Sequence, residues 1–447
     1  MHSRLFFWSL TSALSGFLFG FDMVVISGAE QAIQKLWDLS AGQHGWLMSS
    51  ALWGTVVGGL LGSWPADRFG RRKTLLAIGI AYFISALGSA IAPDPVTLMM
   101  ARFLGGIGIG VSTVAAPLFI AELSPASQRG RLAGLYQFNI VFAILVAFAS
   151  NALIRILFTG LGEEAWRVML GVEALPALLY TLLCLRLPES PRWLVLSRGD
   201  REGAREVLRQ VNPDQSEEEL EERIAEIAHS AGESKGRERL FRATLLKPLL
   251  LVFALSAFNQ LSGINAVLFY APRIFEMGGF EGNAALLNSI GIGVTNLVFT
   301  FLGLWLIDRV GRRMLILMGG VGYVVTLSLI AWCFASETFA LMPYFVFAFI
   351  AAHAIGQGTV IWVYISEIFP AKQRAAGTSF GVSVHWIFAA VIAQVFPTLI
   401  GGVETEWVFG AFAGLMALAF FWALFFMVES KGRSLEEMEE ALGIKTS

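Results

Sequence analysis

The sequence predicts an all-α membrane protein with twelve transmembrane helices in two pseudo-symmetric six-helix halves. Hydrophobic residues make up 56% of its 447 residues and charged residues only 15%, whereas soluble domains average about 25% charged residues. Apolar runs of about 20 residues, the length that crosses a bilayer, recur along the chain. Two charged motifs also occur twice, which indicates that one half of the chain repeats the other.

The apolar runs form two sets of six, separated by one long polar stretch. The predicted spans are 5–28, 46–66, 74–92, 97–121, 131–156 and 166–187, followed by 248–275, 284–307, 314–334, 341–366, 375–400 and 407–428. We expect four parts: an N-terminal half at 1–187, a cytoplasmic linker with short amphipathic helices at 188–245, a C-terminal half at 246–428 and a cytoplasmic tail at 429–447.

Basic residues concentrate in alternate loops of this arrangement. Among the short loops, those at 67–73, 122–131, 308–313 and 371–374 carry Lys and Arg, and the opposite loops are nearly bare. Short loops rich in Lys and Arg face the cytoplasm. We therefore expect a multi-pass integral membrane protein whose two termini and linker are cytoplasmic.

The two halves share a pattern of charges. The stretch Asp67-Arg68-Phe69-Gly70-Arg71-Arg72 recurs as Asp308-Arg309-Val310-Gly311-Arg312-Arg313, an offset of 241. Glu122 stands seven residues before Arg129, and Glu367 stands seven before Arg374, an offset of 245. Arginines can grip carboxylates, so we predict a cytoplasmic latch that holds the halves together in one state. The alternative is that these charges only set the topology.

The predicted latch residues share this duplicated pattern. They are Asp67, Arg68, Arg71, Arg72, Glu122, Arg129, Asp308, Arg309, Arg312, Arg313, Glu367 and Arg374. Both copies keep the same sidedness, so the repeat axis lies along the membrane normal.

Three charged residues lie inside spans, five to seven residues from the outer end and away from the cytoplasmic end, namely Asp22, Arg102 and Glu173. Such residues are costly in a membrane, so they are candidates for function. Counted along the helices, all three lie roughly 8–10 Å beneath the outer face. Because Arg102 is always charged, the two carboxylates compete for it and one can hold a proton. The pattern predicts a proton switch, and the alternative is a permanent structural ion pair.

Amides and aromatic side chains interrupt the apolar background of several spans. The set comprises Gln137, Asn139, Asn259, Gln260, Asn265, Asn296, Gln357, Trp362, His385 and Trp386. Amides offer hydrogen bonds without charge, and indoles offer apolar faces with one N–H group. This mixture favours a neutral, polyhydroxylated ligand, although a single membrane amide often only joins two helices.

Other chemistries find no support in the sequence. Cys184 and Cys333 lie far apart in apolar runs, which gives neither a disulfide framework nor a metal spacing. The glycine-rich run 105–110 lies inside a span without a preceding strand, and no Walker-type loop occurs. The net charge of −2 implies no nucleic-acid partner. We expect no cofactor, no metal and no enzymatic activity.

The chain resembles the sugar porter family of the major facilitator superfamily over essentially its whole length. Besides the two duplicated loops, the resemblance rests on Gly20-Phe21-Asp22, Val25-Ile26-Ser27-Gly28, Glu122-Leu123-Ser124-Pro125, Pro188-Glu189-Ser190-Pro191-Arg192-Trp193-Leu194, Gln260-Leu261-Ser262-Gly263-Ile264-Asn265, Ser366-Glu367-Ile368-Phe369-Pro370 and Glu429-Ser430-Lys431-Gly432-Arg433-Ser434. It implies the major facilitator fold, a central sugar site and alternating access.

The resemblance also implies roles for individual residues. Asp22, Arg102 and Glu173 fall on the positions of the proton-coupling triad of bacterial xylose–proton symporters. Facilitative animal glucose transporters lack the acid at the Asp22 position. The predicted sugar-binding residues are Gln137, Ile140, Asn259, Gln260, Asn265, Asn296, Gly358, Trp362, His385 and Trp386.

Some positions depart from the family pattern and leave the particular sugar open. Asn259 stands where the family usually has Gln, and His385 replaces Gln or Asn. Ile144 matches the glucose transporters and not the xylose symporters. Thr359 and Val428 replace prolines.

We therefore predict a proton-coupled symporter that imports a monosaccharide, a hexose or a pentose, and works as a monomer in membrane lipid. Two alternatives stay open. One is a facilitative sugar uniporter, in which the three buried charges are structural. The other is a membrane sensor that binds sugar without transporting it, which the short linker and tail disfavour because neither is large enough for a signalling domain.

Overall fold

The structure, a computed structural model, describes residues 3–125, 128–213, 215–233, 240, 242–280, 282–370, 373–433 and 435–444. These residues form helices joined by short connections, and no β-strand occurs among them. The prediction of an all-α protein is therefore confirmed. The linker prediction at 234–239 and the last three residues of the predicted tail lie outside the described residues.

The helices follow the order of the predicted spans. In the N-terminal part they are α1 (Ser3–Val25), α2 (Glu30–Leu36), α3 (Ala41–Leu61), α4 (Ser63–Phe69), α5 (Arg71–Ala90), α6 (Pro95–Leu123), α7 (Arg129–Leu157), α8 (Ala165–Gly171) and α9 (Ala174–Cys184). The linker contains α10 (Pro191–Trp193), α11 (Arg201–Val211) and α12 (Glu217–Glu233).

The C-terminal part begins after the linker. Its helices are α13 (Leu246–Leu261), α14 (Ile264–Phe269), α15 (Ala271–Met277), α16 (Asn283–Val310), α17 (Arg312–Ala335), α18 (Met342–His353), α19 (Thr359–Glu367), α20 (Arg374–Gly402), α21 (Thr405–Phe426) and α22 (Leu435–Leu442). The remaining helical turns are the 3₁₀ segments Ile26–Gly28, Thr159–Glu164 and Ala243–Leu245 and the π-helical segments Leu194–Arg198 and Ala354–Gly358.

Eleven helical stretches of the described chain are long and apolar enough to cross a membrane. They coincide with eleven of the twelve predicted spans. The remaining predicted span, at 46–66, lies in α3 and α4. With 21 residues, α3 is long enough to span, but polar residues such as Gln43 and His44 make it less apolar than the others.

The contacts group the chain into two compact units. The first consists of Met1–Met23, Trp53–Ala147 and Arg167–Arg237. The second consists of Val24–Leu52, Phe148–Trp166 and Glu238–Ser447. The second unit therefore includes segments from the predicted N-terminal half. The domain boundaries drawn along the chain remain a prediction.

Three predicted spans contain a break in their helix. In the sixth span, α8 ends at Gly171 and α9 begins at Ala174. In the seventh, Gly263 has φ +79° between α13 and α14, and a Cβ there would lie 2.8 Å from the ring of Phe412. In the tenth, the segment Ala354–Gly358 separates α18 from α19. Breaks of this kind free backbone polar groups, and they are frequent where membrane helices line a ligand site.

The linker forms a small apolar core of its own. Ala204 and Leu208 of α11 pack with Leu220 and Ile224 of α12. Arg205–Glu221 and Arg209–Glu217 ion pairs join the polar faces of the same two helices. The segment thus holds two helices packed against each other, and its role as a cytoplasmic linker remains a prediction.

Glycines allow α3 to approach α6 closely within the first unit. A Cβ built at Gly58 would overlap the backbone carbonyl of Ile107, and one at Gly54 would overlap that of Phe103. The neighbouring Gly59 has no atom of another residue within 4 Å of its built Cβ. The close contact therefore depends on particular glycines and not on glycine content in general.

This contact predicts different effects of the same change at two adjacent positions. Gly58→Ala is expected to lower the free energy of unfolding by about 1–3 kcal/mol, because the added methyl group meets a backbone atom that cannot move alone. Gly59→Ala is the matched control. Thermal unfolding in detergent can be followed with a thiol-reactive dye, because Cys184 and Cys333 are both buried. Equal melting temperatures for the two variants would contradict this account.

Candidate functional site

Asp22 and Arg102 form a buried ion pair between α1 and α6. Arg102 Nη1 donates to Asp22 Oδ1 at 2.5 Å, and Nη2 donates to the main-chain carbonyl of Asp22 at 2.9 Å. Both side chains are 1% exposed. Gly105 lies one turn further along α6, where a Cβ would come within 3.9 Å of Asp22 Oδ1. The guanidinium thus holds both the side chain and the backbone of Asp22.

Glu173 joins this pair from the break between α8 and α9. Glu173 is 2% exposed, and its carboxylate interacts electrostatically with both Asp22 and Arg102. Among the described residues, Glu173 Oε1, Asp22 Oδ2 and Arg102 Nε have no hydrogen-bond partner. One guanidinium balances one carboxylate, so a second buried acid gives the cluster a place for one proton. All three members lie in the first compact unit.

A chain of hydrogen-bonded polar side chains lies in the second unit, on α13, α14 and α20. Gln260 Nε2 donates to Asn259 Oδ1 at 2.8 Å and lies 3.1 Å from His385 Nε2. Asn265 Nδ2 donates to Gln260 Oε1 at 2.6 Å. All four residues are buried. Gln260 is therefore the centre of this polar cluster, next to the break at Gly263.

Aromatic rings border the polar cluster. The ring centre of His385 lies 4.8 Å from that of Trp362 and 4.9 Å from that of Trp386. Within the described residues, Asn259 Nδ2 and Gln357 Oε1 are buried without a hydrogen-bond partner. Buried polar atoms normally have one. Amides with spare hydrogen-bonding capacity beside indole faces can bind hydroxyls and C–H groups of one ligand.

The other predicted sugar-binding residues are placed as follows. Asn296 is buried on α16, and Gly358 ends the π-helical segment before α19. Gln137 and Ile140 lie on α7 in the first unit. Within that unit, the backbone of Ile140 lies against Gly20 of α1. The sugar-binding role of the whole set remains a prediction.

A second network of charges lies where α5 begins. Arg71 donates from Nε and Nη2 to the two carboxylate oxygens of Glu122, both at 2.9 Å. Ser190 Oγ donates to the same carboxylate at 2.5 Å. Glu189 accepts the backbone N–H groups of Arg71 at 2.7 Å and Arg72 at 3.2 Å. A carboxylate at a helix N-terminus also interacts favourably with the helix dipole.

The same arrangement recurs at the start of α17 in the second unit. Arg312 donates from Nε and Nη2 to Glu367 at 3.1 and 2.8 Å, and Ser430 Oγ donates to Glu367 at 2.6 Å. Glu429 accepts the backbone N–H groups of Arg312 and Arg313, both at 3.0 Å. The duplication inferred from the loop motifs therefore extends to the atomic contacts.

These arrangements agree with a match to a known family. The family model described as "Sugar (and other) transporter" matches residues 8–442. The chain belongs to this family of sugar transporters. It is a multi-pass membrane transporter and not an enzyme, as the sequence predicted.

Individual relatives cover nearly the whole of this transporter. It is 36% identical to a D-xylose transporter of Levilactobacillus brevis, over 97% of its own length and 95% of the relative's. It is 34% identical to the D-xylose-proton symporter of Escherichia coli K12, over 98% and 95%. The inward-open structure of the xylose transporter XylE from E. coli matches with a TM-score of 0.86 at 30% identity, over 98% and 99% of the two chains. The major facilitator fold is thereby confirmed.

The transporter places the remaining latch residues around the two networks. Equivalent residues of the two copies make equivalent contacts, each within its own copy. Asp67 pairs with Arg71 at 3.2 Å, and Asp308 pairs with Arg312 at 3.0 Å. Arg72 and Arg313 donate to the carbonyls of Leu185 and Leu424, and Arg68 and Arg309 lie over the rings of Trp64 and Trp305. Two nitrogens of Arg374 have no partner among the described residues. The side chain of Arg129 lies outside the described part of the chain.

Each network lies within one compact unit. Arg71 and Glu122 belong to the first, and Arg312 and Glu367 belong to the second. The structure therefore shows that each network stabilises the packing of its own unit. Their predicted action as a latch between the halves stays a prediction.

Glu189 and Glu429 were not among the predicted latch residues. The sequence does carry a signal for them, because Glu-Ser occurs at 189–190 and at 429–430, an offset of 240 that is close to those of the other duplicated motifs. The pattern was less visible because these carboxylates bind backbone N–H groups and not a side chain of opposite charge.

The first network predicts a difference between a buried and an exposed carboxylate. Glu122→Gln leaves the Arg71 guanidinium, which is 8% exposed, without its buried charged partner, and this costs about 3 kcal/mol of stability. Asp67→Asn changes an acid that is 68% exposed on the same arginine, and it should cost less than about 1 kcal/mol. Thermal unfolding in detergent measures both. A loss for Asp67→Asn as large as that for Glu122→Gln would overturn the assignment.

Proposed function

We propose that this transporter is a proton-coupled monosaccharide symporter that works by alternating access and takes up a hexose or a pentose. The observation that carries the proposal is the buried cluster of Asp22, Arg102 and Glu173, with two acids for one permanent positive charge. Relatives over nearly the full length include a D-xylose transporter and a D-xylose-proton symporter. The D-xylose that these relatives carry supports a monosaccharide substrate here.

The charge balance of the cluster gives a mechanism for coupling. With a proton on Asp22, its ion pair with Arg102 weakens, and Arg102 is free to pair with Glu173. When the proton leaves, Asp22 competes again for the guanidinium. Because the two carboxylates share one buried cation, the geometry of α1 relative to α6 depends on the protonation of Asp22.

The α1 helix offers a route from the proton to the sugar. Asp22 lies three residues before the end of α1, and the turn Ile26–Gly28 follows directly. This turn packs against α14 and α15. Asn265, a predicted sugar ligand, is the second residue of α14 and is hydrogen-bonded to Gln260. A shift of α1 would therefore reach the polar cluster through packed backbone.

The distribution of charge supports further parts of the proposal. The basic loops lie on one predicted side of the membrane, so both termini and the linker would be cytoplasmic. The bacterial relatives support an inner-membrane location. Nothing in the mechanism requires a second copy of the chain, and we propose a monomer.

The coupling step predicts a variant that separates exchange from accumulation. In proteoliposomes with an inward proton gradient, Asp22→Asn should abolish uphill sugar accumulation, because the amide cannot release a proton. Sugar exchange without a gradient should persist. Asp94→Asn is the control, since Asp94 caps the exposed start of α6 through Thr97. Gradient-driven accumulation by Asp22→Asn would rule out this coupling site and favour uniport.

The polar cluster predicts which amide matters most for affinity. Gln260→Ala removes a predicted sugar ligand together with the hydrogen bonds that hold Asn259 and Asn265 in place. It should raise the half-saturation sugar concentration about tenfold or more, since each hydrogen bond contributes about 1 kcal/mol. Gln210→Ala on α11 of the linker is the matched control. Uptake of labelled D-xylose, D-glucose and L-arabinose gives the affinities. An unchanged half-saturation value for every transported sugar would place the site elsewhere.

A further inference from the structure

A second ion pair, whose carboxylate is fully buried, lies just beyond the end of α1, eight residues after Asp22 along the chain. Glu30 is the first residue of α2, and its side chain is 0% exposed. Arg273 of α15 donates from Nε to Glu30 Oε1 at 2.8 Å and from Nη2 to Oε2 at 2.7 Å. The two charges therefore meet in the planar, two-bond geometry that makes such pairs strong.

Two further side chains complete this contact. His44, near the start of α3, has its Nε2 2.7 Å from Glu30 Oε2 and is itself 0% exposed. Gln34 Oε1 accepts a hydrogen bond from Arg273 Nη2 at 2.5 Å. Removing one partner of such a buried pair is costly, because the other charge stays without compensation. The pair is thus fully formed only while α2, α3 and α15 are packed together.

The ion pair joins parts of the chain that belong to different predicted halves. Glu30 and His44 lie between the first and second predicted spans, and Arg273 lies near the end of the seventh. All three belong to the second compact unit. In the same unit the turn Ile26–Gly28 packs on α15, and Gly45 lies against the backbone of Gln394. By the charge pattern of the loops, this region faces the outside.

We propose that Glu30 and Arg273, supported by His44, form an outer latch that stabilises the outward-closed state of the transport cycle. This proposal rests on the alternating-access function proposed above. Opening toward the outside must part the two halves there, and each charge then gains water in place of its partner. Because the closed contact is buried and the open one is hydrated, the pair acts as a two-state element whose loss favours the open state.

A single introduced thiol can report this opening. Ser27 lies in the turn that packs on α14 and α15, is 2% exposed, and has a hydroxyl without a partner among the described residues. Ser27→Cys is therefore a small change at the closed contact. Cys184 and Cys333 are buried, so a membrane-impermeant maleimide added outside whole cells reads the new thiol above a low background.

The experiment measures the rate of labelling in the Ser27→Cys background. Adding Glu30→Gln should speed labelling about tenfold or more, because the open fraction rises as the latch weakens. Lys35→Gln is the control, since Lys35 lies on the same helix and pairs with Glu163 in an exposed bridge within the predicted N-terminal half. Its labelling rate should match that of Ser27→Cys alone.

A second variant keeps the test independent of any one substitution. Arg273→Gln removes the other charge and should speed labelling in the same way, even if Glu30→Gln fails to reach the membrane. Correctly folded variants with unchanged labelling would overturn the latch while leaving sugar symport in place. If both variants label faster while the Ser27→Cys parent itself shows no proton-driven uptake, the result would support the latch and refute the proposed function instead.

Discussion

Arg102 is a permanent positive charge inside the protein, and the arrangement around it serves to balance that charge. Asp22 meets the guanidinium with both its side chain and its backbone carbonyl. Glu173 enters the same cluster from a break between two helices. Two acids beside one cation give the site a protonation choice, and each choice favours a different pairing of the helices. The proton coupling that we propose would follow from this competition for one guanidinium.

The two halves repeat their supporting contacts and differ in their chemistry. Arg71 with Glu122 and Arg312 with Glu367 are equivalent ion pairs, each fastened by a serine hydroxyl and each beside a carboxylate that caps a helix. The ion cluster of Asp22, Arg102 and Glu173 lies in the first compact unit, whereas the amide and aromatic cluster around Gln260 lies in the second. The two halves thus share the same supporting ion pairs as a result of duplication. Each compact unit holds a different group of polar residues at breaks or close contacts of its helices.

Hydropathy and charge predicted most of the fold, because lipid imposes long apolar helices and the loop charges report their direction. The least apolar span, α3, fell below the level of the other helices because it carries polar residues near its start. The motifs predicted that Asp22 and Arg102 would meet, since both are charges in apolar surroundings. The sequence did not predict the pair of Glu30 and Arg273, because the two residues lie 243 positions apart. Both also lie near the ends of spans, where charged residues are common. The helix breaks depend on tertiary packing, as at Gly263 against Phe412, which no local pattern encodes.

The most direct test of the central claim is to measure proton movement that accompanies sugar. The purified transporter is reconstituted in proteoliposomes without a pH gradient, and sugar is added outside while a pH-sensitive dye records the external medium. The account predicts alkalinisation that begins with sugar addition and disappears when a protonophore is present. Sugar uptake of normal rate with no change in external pH would contradict it, and would leave Asp22, Arg102 and Glu173 as a structural ion cluster in a uniporter.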